Sequence, residues 1–453
     1  MKRYLFILVS FTILGLFVIS IAQAADLKFP VGQDSRFHWD DLKAFQSMDL
    51  KGQKVSVFGP WLGPDKDLIN SVLDYFRTAT GAEVDYAGSD SFEQQIVIDV
   101  GAGSPPNIAI FPQPGLAADM ASKGGLVPLG NEIREWVKQN YAAGQSWVDL
   151  GTYKGKDGKP DFFGFFYKVD LKSLVWYVPD NFEEAGYEVP KTMEELFALS
   201  EKIVADGGTP WCIGLGSGDA TGWPATDWVE DIMLRTQPPE VYDKWVTNEI
   251  AFNDPRVINA IKIFGSFAKN NKYVAGGVGS VGATDFRDSP RGLFTVPPKG
   301  YMHRQASFIP SFFPKGTQLG VDADFFYFPP YASKNLGNPV LGAGTVWAIT
   351  KDSKTTRILL EFLKTPLANE IWMAQSGFLT PHKGVNPEAY ANATLRKQGD
   401  ILRKATTFRF DGSDLMPGAI GAGSFWTGMV DYVGGASAEE VCAKIQSSWD
   451  AIK

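Results

Sequence analysis

Cysteine and histidine are scarce in this chain of 453 residues, with two of the first and three of the second. Cys212 and Cys442 leave two possibilities open, one disulfide or two separately buried thiols, because spacing does not set their separation in space. The three histidines show no metal-ligand spacing, which argues against a zinc site or a Ser-His-Asp triad. A nucleophile elbow exists only in fragment: in Gly216-Ser217-Gly218 the second glycine comes one residue too early. Runs of basic residues are missing as well, and the net charge is −8, so nucleic acid is not expected as a partner. No repeat of about 20–50 residues is visible, which excludes solenoids and propellers.

Past the N-terminus the chain also lacks any apolar run near the ~20 residues that span a bilayer. The N-terminus itself has one. Lys2 and Arg3 precede the apolar stretch Leu5 to Ile21, and Ala22-Gln23-Ala24 places small residues at both positions a signal peptidase reads. Cleavage after Ala24 is predicted. It removes Lys2 and Arg3 and takes the net charge from −8 to −10. No cysteine follows the apolar run, so a free periplasmic protein of a Gram-negative cell fits better than a lipid-anchored one. A chain of this length exceeds what one core organises, and two lobes are expected.

Aromatic residues are abundant: 13 Trp, 15 Tyr and 32 Phe, several beside Gly, Pro and Asp in apparent loops, where aromatics more often line a binding surface than a core. From Lys54 the pattern becomes regular. Val55 to Phe58 reads as a strand, Asp65 to Thr80 as an amphipathic helix, Glu83 to Tyr86 as a strand, Ser91 to Gly101 as a helix and Asn107 to Phe111 as a strand. Such alternation means a parallel sheet covered on both faces. Phe162 to Trp176 is an extended aromatic run, and Thr192 with Glu195 forms a capping box for the next helix. Val346 to Ile349 is a strand and Thr355 to Lys364 a helix. In open α/β sheets ligands sit beyond the carboxyl ends of strands, so loops 59–66, 87–92 and 111–115 are the first candidates. They hold Trp61, Asp65, Lys66, Ser89, Asp90, Gln113 and Pro114. Carboxylates, amides and an indole in such loops suit a sugar, whose hydroxyls pair with planar polar groups and whose C–H faces lie on aromatic rings.

Four segments in order resemble the extracellular solute-binding proteins of sugar importers, the family that includes the maltodextrin-binding proteins. They are Trp176 to Asp180 with Phe182 to Leu196, Leu341 to Ile349 with Lys351 to Lys354, Gly377 to Pro381, and Phe410 to Met429. Within that family the α-glucoside-binding branch is most similar. The resemblance implies an α/β, two-lobed, type II-like periplasmic binding fold, each lobe a doubly wound sheet. It places three inter-lobe crossings near 167–171, 328–332 and 379–383. Lobe one is then 54–168 plus 333–380, lobe two 172–328 plus 384–453, and residues 25–53 a leader. The lobes would close on the ligand by hinge bending, and the importer would recognise the closed form.

The resemblance further implies ligand contacts at Trp61, Asp65, Lys66, Asp90, Gln113, Asp170, Trp223, Asp227, Tyr301, Arg304 and Trp426, with no catalytic residue, metal or cofactor. Asp170 matches the family's acidic residue at the hinge, with Lys168 or Lys172 as the structural alternative partner, and Trp426 matches its stacking tryptophan. Pro114 stands where the family often has an acidic residue, and a prolyl ring offers no donor, which points to a disaccharide or short α-glucoside over maltodextrin. The implied partners are the sugar and the permease subunits of an inner-membrane ABC importer, with the receptor a monomer. Two alternatives remain: a polyamine or another small polar solute on the same fold, or a secreted glycosidase using two carboxylates. The acidic pairs such a hydrolase would need (Asp227 with Glu230 or Asp231, Asp411 with Asp414, Glu194 with Glu195) read as helix faces or caps.

Overall fold

The computed structural model describes residues 27–142, 144–404 and 407–452; the predicted signal peptide lies outside them. In the first lobe, β1 (Lys54–Gly59) lies between β2 (Glu83–Gly88) and β3 (Ile108–Phe111), both parallel to it. The helices between them are Pro64–Thr80 and Phe92–Gly101. The first has proline in its opening turn and stops at Gly81, whose left-handed φ of 75° lets its N–H close on the Arg77 carbonyl. A short hairpin, β4 (Thr152–Lys154) and β5 (Pro160–Phe162), leads into β6 (Phe165–Leu171), in which every residue is buried.

Lys172 and Ser173 separate β6 from β7 (Leu174–Tyr177), which already belongs to the other lobe. There β7 pairs antiparallel with β8 (Met302–Arg304) and β9 (Asp324–Tyr327). This sheet is smaller than the full doubly wound sheet expected of each lobe, its parallel part reduced to single bridges from Trp211 to Val274 and Met302. Helices make up the difference. Trp223–Thr236 is buried along its length from Pro224 onward; Pro255–Ala268 and Trp426–Val433 pack against it, and Ala438–Ile452 packs on both of those.

The long strand β10 (Pro339–Ile349) joins the lobes. It runs antiparallel to β6 and β3 and, at its start, parallel to β11 (Thr407–Phe410). Only its last four residues were legible as a strand, because Leu341-Gly342-Ala343-Gly344 reads as a turn when taken alone. Residues 27–53 are not a leader ahead of the fold. Phe37, Leu42, Phe45 and Leu50 are buried in the first lobe's core, and the Tyr75 hydroxyl both donates to and accepts from the Phe29 backbone. The capping box forms with one shift: Glu195 N–H donates to Thr192 Oγ1, while the Glu195 carboxylate accepts from Lys191 N–H. Cys212 and Cys442 are separately buried free thiols. Among the described residues no helix is long and apolar enough to cross a membrane.

Candidate functional site

The ends of β1, β2 and β3 open onto a cleft between the lobes. The three predicted loops supply its first wall: Trp61 and Asp65, Ser89 and Asp90, Pro112 and Gln113. A sharp constraint brings the first two loops together. A Cβ on Gly88 would lie 2.0 Å from the Trp61 carbonyl, so only glycine permits the approach. Trp61 is then wedged edge-on against Trp372, with centroids 5.1 Å apart, and its backbone N–H donates to the Tyr86 hydroxyl.

The crossing strands β6 and β10 form the back, with Lys168, Asp170 and Thr345. The second lobe contributes Trp223, Phe286, Phe308, Phe312 and Trp426, an aromatic wall in which Trp223 meets Phe286 edge-on at 4.9 Å. Below it lies a buried charge cluster. Lys172 Nζ stands 2.8 Å from Asp227 Oδ1 and 2.5 Å from Asp411 Oδ2, with Asp414 at 4.0 Å. Glu230 accepts the backbone N–H groups of Gly412 and Ser413. Asp411 also caps the helix Gly412–Leu415 by accepting from Asp414 N–H.

Burial governs the electrostatics. It works to raise Asp411, but Lys172 and the hydrogen bonds outweigh it and hold that carboxyl at about 2. Asp227, with less compensation, is pushed up to about 7, and Glu230 and Asp414 well above the usual carboxylate range. Burial opposes the Lys172 charge too, yet the surrounding carboxylates keep it firmly protonated. On the first wall, burial raises Asp65 to about 6 against the pull of Lys168, and Glu93 to about 7. Asp227, Glu230 and Asp411 place carboxylate oxygens within 4.8 Å of one another, a spacing a metal ion could use. The Lys172 ammonium already neutralises that group.

Five residues that line the cleft each carry a buried polar atom with no hydrogen-bond partner among the described residues: Asp65 Oδ1, Gln113 Oε1, Asp227 Oδ2, Thr345 Oγ1 and Trp426 Nε1. They come from both lobes and the crossing strand. Leaving such groups unpaired costs about 1–3 kcal/mol each, so the arrangement is suited to a ligand that donates and accepts hydrogen bonds all round.

Of the eleven residues predicted, eight line this cleft: Trp61, Asp65, Asp90, Gln113, Asp170, Trp223, Asp227 and Trp426. Three do not. Lys66 is exposed in the first turn of its helix. Tyr301 packs edge-on against Tyr187 within the second lobe, 5.1 Å between centroids. Arg304 is buried behind the cleft, 2.8 Å from Asp231, and serves as that carboxylate's counter-ion. Asp170 pairs with Lys168 at 2.5 Å, and Lys172 turns away to the acidic cluster. Asp227, Glu230, Asp411 and Asp414 converge on that lysine; Asp411 is also the cap expected of its pairing with Asp414, whereas Asp227 and Glu230 lie on a buried helix face.

A family model described as bacterial extracellular solute-binding protein matches residues 62–370. The chain belongs to the bacterial extracellular solute-binding proteins. It is 65% identical over 432 residues, 95% of this chain and 94% of the relative, to the alpha-glucosides-binding periplasmic protein AglE of Rhizobium meliloti. Over 401 residues, 88% of this chain and 93% of the relative, it is 44% identical to the osmoprotective compounds-binding protein GgtB of a Synechocystis species. Among solved structures of this fold, the bacterial solute receptor AcbH superposes with a TM-score of 0.74 at 18% identity, covering 88% of this chain and 99% of AcbH. Solute-binding proteins hold a ligand and do not turn it over, which sets aside the glycosidase alternative.

Proposed function

We propose that the protein is the periplasmic receptor of an ABC importer, capturing a short α-glucoside such as a disaccharide between its lobes and presenting it to the permease. The observation that carries this reading is an aromatic-walled cleft whose residues hold five buried polar atoms without a hydrogen-bond partner among the described residues. A pyranose offers what both features lack, hydroxyls around its rim and apolar C–H faces above and below. Identity of 65% to an alpha-glucosides-binding protein favours the same ligand class.

Charge argues against the polyamine alternative. Most acidic residues of the cleft have counter-ions of their own chain: Asp170 has Lys168, Asp90 has Arg287, and Asp227 and Asp411 share Lys172, while Asp65 is only partly offset by Lys168. Burial favours the neutral form of Glu93 and Asp414. Such a lining receives a neutral polyol more readily than a chain of ammonium groups. In this reading Trp223 and Trp426 stack on sugar rings, Asp65, Gln113 and Asp227 take hydroxyls, and the lobes turn about the crossings near 167–171, 328–332 and 379–383.

A thermal-shift screen of the mature protein with α-linked glucose disaccharides, free hexoses, polyamines and amino acids tests the proposal. A ligand binding the native state raises the melting temperature by mass action. A shift with an α-linked disaccharide supports it; a shift with spermidine and none with sugars overturns the ligand class.

A further inference from the structure

Two loops from opposite lobes meet at the edge of the cleft and bond directly to each other. Arg287, in the second lobe, is fixed at its base: its backbone N–H donates to Asp285 Oδ1 at 2.8 Å, and its guanidinium lies 4.3 Å from the Phe286 ring centroid. From there it reaches across to Asp90, which follows β2 in the first lobe, with Nη2 2.6 Å from Asp90 Oδ1. One residue on, the Ser91 hydroxyl donates to Asp219 of the second lobe. Between these contacts Gly218, at φ 57°, has no Cβ, and one placed there would sit 2.9 Å from Asp90 Cβ. The Gly218 backbone therefore packs directly against the Asp90 side chain. Unlike the sealed cluster around Lys172, the pair is 20% and 27% exposed, and Ser91 and Asp219 lie outside the cleft lining.

From this geometry we propose that Arg287–Asp90 and Ser91–Asp219 form an inter-lobe latch, and that these four are positioning residues for binding. They hold the lobes together over a captured solute and so set how slowly it leaves. The latch acts on the closed form alone, because every contact in it crosses from one lobe to the other. Arg287 is held by the Phe286 ring and by the Asp285 carboxylate, 3.2 Å from its Nη1, so little side-chain freedom is lost when the lobes meet. An ion pair so placed is worth up to about 1 kcal/mol, roughly fivefold in a rate or an equilibrium constant, and salt weakens it. Affinity changes of this kind fall mainly on dissociation.

The test uses the full mature receptor with dyes on the two lobes, reporting cross-cleft distance by energy transfer. It compares wild type with Arg287→Gln and Asp219→Ala. Without any sugar, Arg287→Gln, which removes the ion pair, and Asp219→Ala, which removes the acceptor of the Ser91 hydroxyl, should each lower the population ratio of closed to open forms by about fivefold at low salt. The gap between wild type and Arg287→Gln should narrow at high salt. With maltose, the dissociation rate of Arg287→Gln should rise about fivefold while association changes less than twofold. An unchanged closed population in both single variants overturns the latch. So does a gap between wild type and Arg287→Gln that salt leaves unchanged, or an effect confined to association. The dye measurement needs no ligand, so failure of the α-glucoside reading leaves it decisive.

Discussion

Replacing Lys172 by methionine removes the cation that three carboxylates face. Asp227 and Asp411 lie 2.8 and 2.5 Å from its ammonium, Asp414 at 4.0 Å, and all four side chains are at least nine-tenths buried. Methionine fills much the same volume, so the penalty is electrostatic. Stranding buried charges in this way costs about 3–5 kcal/mol, a hundredfold to several thousandfold in the folding equilibrium. The sign of the pH dependence follows from Asp411. In the wild type its carboxyl is held at about 2, below the ordinary 3.8, so it stabilises the fold above about pH 4 and loses that effect as pH falls towards 2. Without Lys172 its pKa rises above the unfolded value, and the native state must take up a proton. The penalty of Lys172→Met is therefore expected to be full near pH 7.5 and to shrink towards pH 5. Urea denaturation at both values measures it, and adding Asp411→Asn should recover part of the loss. A cost below about 1 kcal/mol at pH 7.5, or one independent of pH, would refute the reasoning.

Other outcomes follow from single residues. Glu93 is raised by burial from 4.5 to about 7, so its neutral form is favoured and stability declines as pH rises across that window, by about 3 kcal/mol in all. Glu93→Gln should flatten the pH dependence of melting between pH 5 and 7.5; an unchanged slope contradicts the assignment. Gly88→Ala must displace the Trp61 carbonyl, and should lower the melting temperature by several degrees and weaken binding together. Both thiols are buried, and burial pushes each up to about 12. A thiol reagent should therefore find almost none in the native protein and two per chain in denaturant without reductant; none in denaturant would mean a disulfide.

Much of the first wall was legible because strand ends announce themselves. A short strand, a loop and an amphipathic helix, repeated from Lys54, place Trp61, Asp65, Asp90 and Gln113 by the geometry of parallel sheets alone. Glu93 was missed although it stands in the first turn after the second loop, where an acidic residue reads as a favourable helix start. Arg287, Phe286, Phe308 and Phe312 come from irregular chain with no period to register them. The cluster around Lys172 failed for a different reason: Asp227 and Glu230 sit on a helix that the other helices cover on every side. Nothing local distinguishes that helix from a half-exposed one. Arg304 and Tyr301 were placed by resemblance, and the fold uses both inside the second lobe.

Calorimetric titration of an α-linked glucose disaccharide, maltose or trehalose, into wild type, Trp426→Ala and Asp227→Asn tests the central claim most directly. One site per chain is predicted, with affinity at least tenfold weaker in each variant, through loss of a stacking face in one and of a buried acceptor in the other. Tight binding unaltered by both substitutions would place the sugar elsewhere, and no heat from any α-glucoside would contradict the account.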